Sequence, residues 1–200
     1  MGTEHFDSHA GTWDDDEDKR RRSAEIAGAV AAAVPTTGDT RLLEYGAGTG
    51  LVTQALLDRV GPVTLADNSA GMRTVLHDKV TDGRLPRDAR IWDLDLERGD
   101  GPQERFDLVV SSMVLHHVHD LDGVLSRLAA MLEDGSFHAD THDFDGHPGF
   151  DREELARAVE AAGLEAVAWD SCAAVEKHGR TYPVFLLTAR RRAGGADVGA

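Results

Sequence analysis

The chain has 200 residues, 41% of them hydrophobic, which suits one domain with a substantial buried core. A net charge of −15, from 36 acidic against 21 basic residues, argues against nucleic acid as a partner, because phosphates need a basic surface. The single cysteine, Cys172, excludes an internal disulfide and any cysteine-based zinc site.

Met1 to Lys19 is polar, with Asp14 to Asp18 acidic throughout, and carries no signal-like apolar stretch. No later apolar run reaches the roughly 20 residues of a membrane span, so insertion is not expected and the cytoplasm is the expected compartment. Arg20 to Val34 reads as a helix with Ala24, Ile26, Ala27 and Val30 as apolar positions, and Pro35 to Asp39 ends it. Strands are then predicted over 42–45, 62–66, 89–95, 106–111 and 136–141, with helices over 50–60, 69–78 and 121–132. Such alternation predicts a parallel sheet covered by helices on both faces, and Phe106 to Val110 is apolar enough for a central strand. The helix opened by Asp151-Arg152-Glu153-Glu154 closes at Gly163. Two strands follow, 164–175 and 182–189; the short turn Lys177-His178-Gly179-Arg180 forces them into an antiparallel hairpin.

Leu42 to Tyr45 runs into Gly46-Ala47-Gly48-Thr49-Gly50 and then a helix, the makings of a nucleotide pocket. The absent side chains let a ligand touch backbone, and Glu44 is an acceptor pointing into the same crevice. Leu51 stands where a dinucleotide fingerprint requires glycine, which opposes a nicotinamide reading. Asp67 ends the next strand, where a carboxylate can accept both hydroxyls of an adenosine ribose. Asp93 and Asp95 alternate onto one face of the third strand, with Asp95 at its mouth. Ser111 ends the fourth strand where the order of the sheet reverses, which is where ligands bind.

The order of these features resembles the class I S-adenosylmethionine (SAM)-dependent methyltransferases, closest to the small-molecule ubiquinone/menaquinone-type (type 11/12) branch, over roughly Phe6 to Arg190. The resemblance implies an α/β, Rossmann-like, doubly wound, mostly parallel seven-stranded sheet with a reversed C-terminal hairpin, in the order 3-2-1-4-5-7-6. It also implies SAM as cofactor, with S-adenosyl-L-homocysteine (SAH) as product. Glu44, Gly46, Ala47, Gly48 and Gly50 match the loop around the methionine part of SAM. Asp67, Ser69 and Met72 match the Asp-x-Ser-x-x-Met segment, with Asn68 beside Asp67 as a further cofactor-binding candidate and Met72 against the adenine. The family's adenine acceptor falls on Asp95, with the Leu96 N–H meeting the ring, and Asp93 is the alternative. Phe106 to His117 resembles Phe-Asp-x-Val-x-Ser-x-x-Leu-His-His and places Ser111 at the cofactor. The Asn/Asp-Pro-Pro-Tyr of nucleic-acid and protein-amide methyltransferases is absent there.

The acceptor side follows from the same resemblance. His116 is the candidate base, with His117 beside it, since a histidine near neutrality can take a proton from an acceptor. Phosphoethanolamine methyltransferases pair a histidine matching His116 with an N-terminal tyrosine, and this chain has none before Tyr45. His138, Asp140 and His142 alternate along one strand face and are expected to form a polar wall facing substrate rather than a metal site. Glu133-Asp134-Gly135-Ser136 replaces the family's Lys-Pro-Gly-Gly turn before them. Phe6 and Trp13 resemble the family's N-terminal lid, which with the loop from His142 to Phe150 would select a small-molecule acceptor. The expected division is residues 1–34 for lid and helix, 35–190 for the SAM-binding domain and 191–200 for a disordered tail. A SAM-binding sensor or an inactive methyltransferase-like subunit is the alternative function, and the sequence leaves the oligomeric state open.

Overall fold

A computed structural model describes residues 3–143, 152–177 and 179–192. The central sheet has seven strands in the order β3-β2-β1-β4-β5-β7-β6. They are β1 (Leu42–Tyr45), β2 (Val63–Ala66), β3 (Arg90–Trp92), β4 (Phe106–Ser112), β5 (Leu132–Asp143), β6 (Leu164–Lys177) and β7 (Arg180–Arg191). Strands β1 to β5 pair in parallel, and β7 runs antiparallel to both β5 and β6. The expected doubly wound sheet with its inserted, reversed last strand is therefore the observed fold.

Alternation along β1 sends Leu42 and Leu43 to opposite faces of the sheet. Leu42 joins Leu108, Val110, Val63 and Leu65 beneath α2 (Glu17–Ala33), α3 (Leu51–Leu56) and α4 (Ala70–Thr81). Leu43 joins Val109, Phe106 and Phe185 beneath α5 (Leu121–Ala130) and α6 (Arg152–Ala161). Each fully buried Leu or Val in these layers contributes about 1.5–3 kcal/mol, which is why β1 and β2 are apolar on both sides.

Several boundaries differ from the sequence expectation. β3 stops at Trp92, because β2 ends opposite it and the last rung is Asp67 N–H to Trp92 O at 3.1 Å. Asp93 and Asp95 thus lie beyond the strand, and period-two alternation does not govern them. Glu133 to Ser136 is a bulge inside β5 rather than a preceding turn: pairing slips from Phe106–Leu132 to Leu108–Phe137, with Gly135 at φ +82°. The hairpin is longer than predicted and pairs as far as Lys177 with Arg180.

The acidic leader is folded as well. α1 (Glu4–His9) and a 3₁₀ turn (Ala10–Asp15) precede α2, which begins at Glu17 because Asp16 caps it, accepting from the N–H groups of Asp18 at 2.9 Å and Lys19 at 3.1 Å. The loop after β5, the Asp151 cap, His178 and the tail from 193 onward lie outside the described residues. Among the described residues no helix is long and apolar enough to cross a membrane.

Candidate functional site

A crevice of about 1080 Å³ opens at the C-terminal ends of β1, β2 and β4, at the switch point of the sheet. Its floor is the glycine loop, where three left-handed glycines meet three different demands. At Gly46 (φ +68°) a Cβ would lie 2.2 Å from Cγ2 of Val114, so the loop can pass the segment that follows β4 only without a side chain. At Gly50 (φ +78°) a Cβ would strike Leu65 and Leu76. At Gly48 (φ +54°) a Cβ would meet nothing within 4 Å, and that residue lines the crevice.

Two buried carboxylates brace the loop. Glu44 is 2% exposed, and its Oε2 accepts from both the N–H and the hydroxyl of Thr53, leaving Oε1 without a hydrogen bond among the described residues. Burial pushes its carboxyl up to about 7. Asp67 accepts from Gly48 N–H through Oδ2 and from Ser69 N–H through Oδ1, both at 2.8 Å, tying loop to α4. Burial raises its pKa as well. Each oxygen retains a lone pair, because a carboxylate offers about four acceptor positions.

The far end is lined by Asn68, Met72, Asp93 and Asp95. Asp95 accepts from Glu97 N–H at 3.0 Å and from the Asn68 amide at 3.4 Å. Asp93, the alternative to Asp95, is largely exposed and bonded to Arg73 at 2.9 Å. The Leu96 N–H does not face a ligand: it donates to the Tyr45 hydroxyl at 3.3 Å, and the Leu96 side chain is fully buried. Ala47 lines the crevice beside Gly46.

The wall above β4 departs from expectation by one residue. Ser111 is fully buried behind the crevice, which Ser112, Met113 and Val114 line. Met113 adopts φ +58°, a strained conformation for a side-chain-bearing residue, and turns the chain into the 3₁₀ turn Leu115–His117. That turn leaves His116 exposed and brings His117 into the crevice wall. The His117 ring stands edge-on to Phe6 at 5.6 Å, and burial lowers its pKa. His116 is therefore corrected as the candidate base, in favour of His117. His138 is corrected too: it is fully buried in the sheet, opposite Val109 and Ala189, and faces the core under α5 and α6 instead of substrate. The side chains of Asp140 and His142 lie outside the described residues.

Two aspartates hold the lid over the crevice. Asp7 accepts from the Ser69 hydroxyl at 2.6 Å and from Gly71 N–H at 2.8 Å, and only a glycine at 71 lets α1 come so close. Asp14 accepts from the Thr49 hydroxyl and pairs with Lys79 at 2.6 Å. Lys79 is fully buried and also donates to Thr49 O at 2.7 Å and to the Gln54 side chain at 2.6 Å. Phe6 and Trp13, 6.0 Å apart, line the crevice. Asp7 and Asp14 belong to the segment expected as a lid, but their bonds to Ser69, Gly71, Thr49 and Lys79 were not expected, nor was Lys79 at the site. The readable sign was Lys79, which falls on one helical stripe with Met72 and Leu76 where an apolar residue belongs.

Residues 43–139, from β1 into β5, match the model of the methyltransferase domain family. This match, together with methyltransferase relatives, supports a class I SAM-dependent methyltransferase of the type 11/12 branch. Over 132 residues it is 34% identical to the biotin biosynthesis bifunctional protein BioCD of Bordetella avium, covering 65% of this chain and 27% of that protein. Over 109 residues it is 35% identical to the ubiquinone/menaquinone biosynthesis C-methyltransferase UbiE of Xanthomonas campestris, covering 53% of this chain and 43% of UbiE. The chain thus spans less than half the length of these curated relatives. In fold it is similar to a Haloferax volcanii methyltransferase structure solved with the Trm112 methyltransferase activator, with a TM-score of 0.75 at 17% identity over 94% of this chain and 97% of that one. The family's cofactor is SAM.

Proposed function

We propose that this chain is a SAM-dependent methyltransferase that passes a methyl group to a small-molecule acceptor by in-line attack. The observation that carries the reading is the pair of buried carboxylates, Glu44 and Asp67, flanking a glycine loop that opens on a lidded crevice. The donor set suits SAM. Oε1 of Glu44 is an acceptor for an ammonium group, Asp67 for ribose hydroxyls, and Asp95 for an adenine amino group, with Met72 as an apolar bed. Gly48 leaves open the space that a Cβ would take. SAM, when bound, supplies a methyl group activated by its sulfonium.

The chain's own work is then positional. Phe6, Trp13 and Val114 exclude water around the acceptor, and a lid this short favours a small molecule over a macromolecule. His117, kept neutral by burial, can take the acceptor's proton. His117→Ala is expected to slow turnover by roughly 100-fold with SAH affinity within about twofold, whereas His116→Ala changes neither. Equal turnover in the two variants, on an acceptor found by labelled methyl transfer, would remove His117 from the mechanism.

Glu44 gives the binding a pH dependence. Its carboxyl is raised to about 7, so ionised Glu44, the form that accepts an ammonium group, is lost as pH falls through that value. SAH affinity is expected to weaken by about tenfold in total from pH 8 to pH 6, and to be weak and flat in Glu44→Gln. An unchanged slope in that variant assigns the dependence elsewhere. The proposal as a whole is tested by calorimetry: micromolar SAH binding is the expected result, and binding of NAD in its place overturns it.

A further inference from the structure

We propose that Tyr45 reads the adenine of the donor: its hydroxyl, held by the Leu96 N–H, gives its proton to the ring nitrogen N1. The inference rests on the SAM reading of the same crevice and adds a recognition residue to it.

Tyr45 ends β1 between Ala66 of β2 and Ser111 of β4, and its side chain belongs to the core layer that holds Leu96. It is 6% exposed and lines the crevice together with Leu94, Asp95 and Glu97. A tyrosine at the buried end of a parallel strand carries a polar atom into the core, where it requires partners. Leu96 N–H is one, donating to the hydroxyl at 3.3 Å. A hydroxyl has one proton and two lone pairs, and this bond occupies a lone pair only. The proton has no acceptor among the described residues. The neighbouring carboxylates are engaged elsewhere: Asp95 accepts from Glu97 N–H, the Asn68 amide and Arg98, and Glu97 accepts from the N–H groups of His119 and Asp120. Burial, with the charges of Asp95, Glu97 and Asp67, pushes the phenol up to about 12, so the proton stays on the oxygen at neutral pH.

The Leu96 N–H, engaged by Tyr45, is not free to meet the ring itself. The donor it would have offered is passed on instead, from the backbone to the side chain that accepts it. Adenine carries the acceptor N1 next to its amino group, so an acceptor and a donor side by side match that edge. Asp95 supplies the acceptor, and the Tyr45 hydroxyl, held at the very next residue, supplies the donor.

The test titrates SAH and its 1-deaza and 7-deaza analogues, in which a C–H replaces N1 or N7, into the full chain and into Tyr45→Phe. The variant is expected to bind SAH and the 7-deaza analogue about tenfold more weakly than the unsubstituted chain does. Its affinity for the 1-deaza analogue is expected to be unchanged, because that ligand has no acceptor to lose. Phenylalanine keeps the ring, and the Leu96 N–H left unpaired is present with and without ligand, so it cancels from the affinities. A purely structural role for Tyr45 would weaken all three ligands equally, and that result overturns the proposal. Unchanged SAH affinity in Tyr45→Phe overturns it too, as does a 7-deaza analogue that is insensitive in place of the 1-deaza one. Failure of the unsubstituted chain to bind SAH overturns the donor assignment beneath it instead.

Discussion

Asp67→Ala is expected to weaken SAH binding by at least about 100-fold, the largest effect of any single side chain on the ligand. Its carboxylate would accept two ribose hydroxyls, and hydrogen bonds to a charged group contribute about 1.5–3 kcal/mol each, which spans a hundredfold to ten-thousandfold loss. A second cause adds to the first. Asp67 already binds Gly48 N–H and Ser69 N–H, so removing it releases the glycine loop from the first turn of α4. The fold itself does not depend on it, because the core layers on both faces of the sheet are complete without it. Calorimetry with SAH, alongside circular dichroism to confirm folding, measures the effect. A folded variant that binds SAH normally would refute the role given to Asp67.

Lys79→Met should produce the largest loss of stability among the site residues, about 3 kcal/mol in urea unfolding. Lys79 has no exposed surface, and burial, with a smaller effect of Arg84, lowers its pKa; the Asp14 carboxylate opposes that shift and keeps the charge tolerable. Methionine fills the space but leaves Thr49 O and the Gln54 side chain without the ammonium donor and Asp14 with only the Thr49 hydroxyl. The consequence reaches the lid, since Asp14 belongs to the turn that carries Trp13 over the crevice. A double-mutant cycle with Asp14→Asn is expected to show a coupling on the order of 1–2 kcal/mol, and the lid segment should become susceptible to proteolysis. Additive effects in the cycle would mean that Lys79 merely fills the core and latches nothing.

The parts of this molecule legible in its sequence are those determined locally. The glycine loop, Asp67 and the closing hairpin each show as a short motif at a recognisable spacing, so spacing alone locates them even though distant side chains such as Val114 and Leu65 complete the loop's packing. Asp95 and Leu96 were harder because the length of β3 is set by where β2 stops, which no residue in 89–95 encodes. The choice between His116 and His117 turned on the left-handed backbone of Met113, a conformation that a methionine does not advertise. Likewise the acidic leader resembles a solvated tail until Asp7 meets Gly71 and Asp14 meets Lys79, partners far away in the chain. His138 shows the converse error: alternation put it correctly on one face of its strand, but only the packing of α5 and α6 reveals that this face is core.

The most direct test of the central claim is methyl transfer itself. The full chain is incubated with SAM carrying a heavy-isotope methyl group and a deproteinised metabolite extract, and the mixture is analysed by mass spectrometry. The account predicts one or more small molecules that gain the labelled methyl, with SAH released in equal amount and both signals abolished by Asp67→Ala. Tight binding of SAH by the same preparation, with no labelled product and no SAH released from SAM, would contradict it and leave a protein that holds the cofactor without using it.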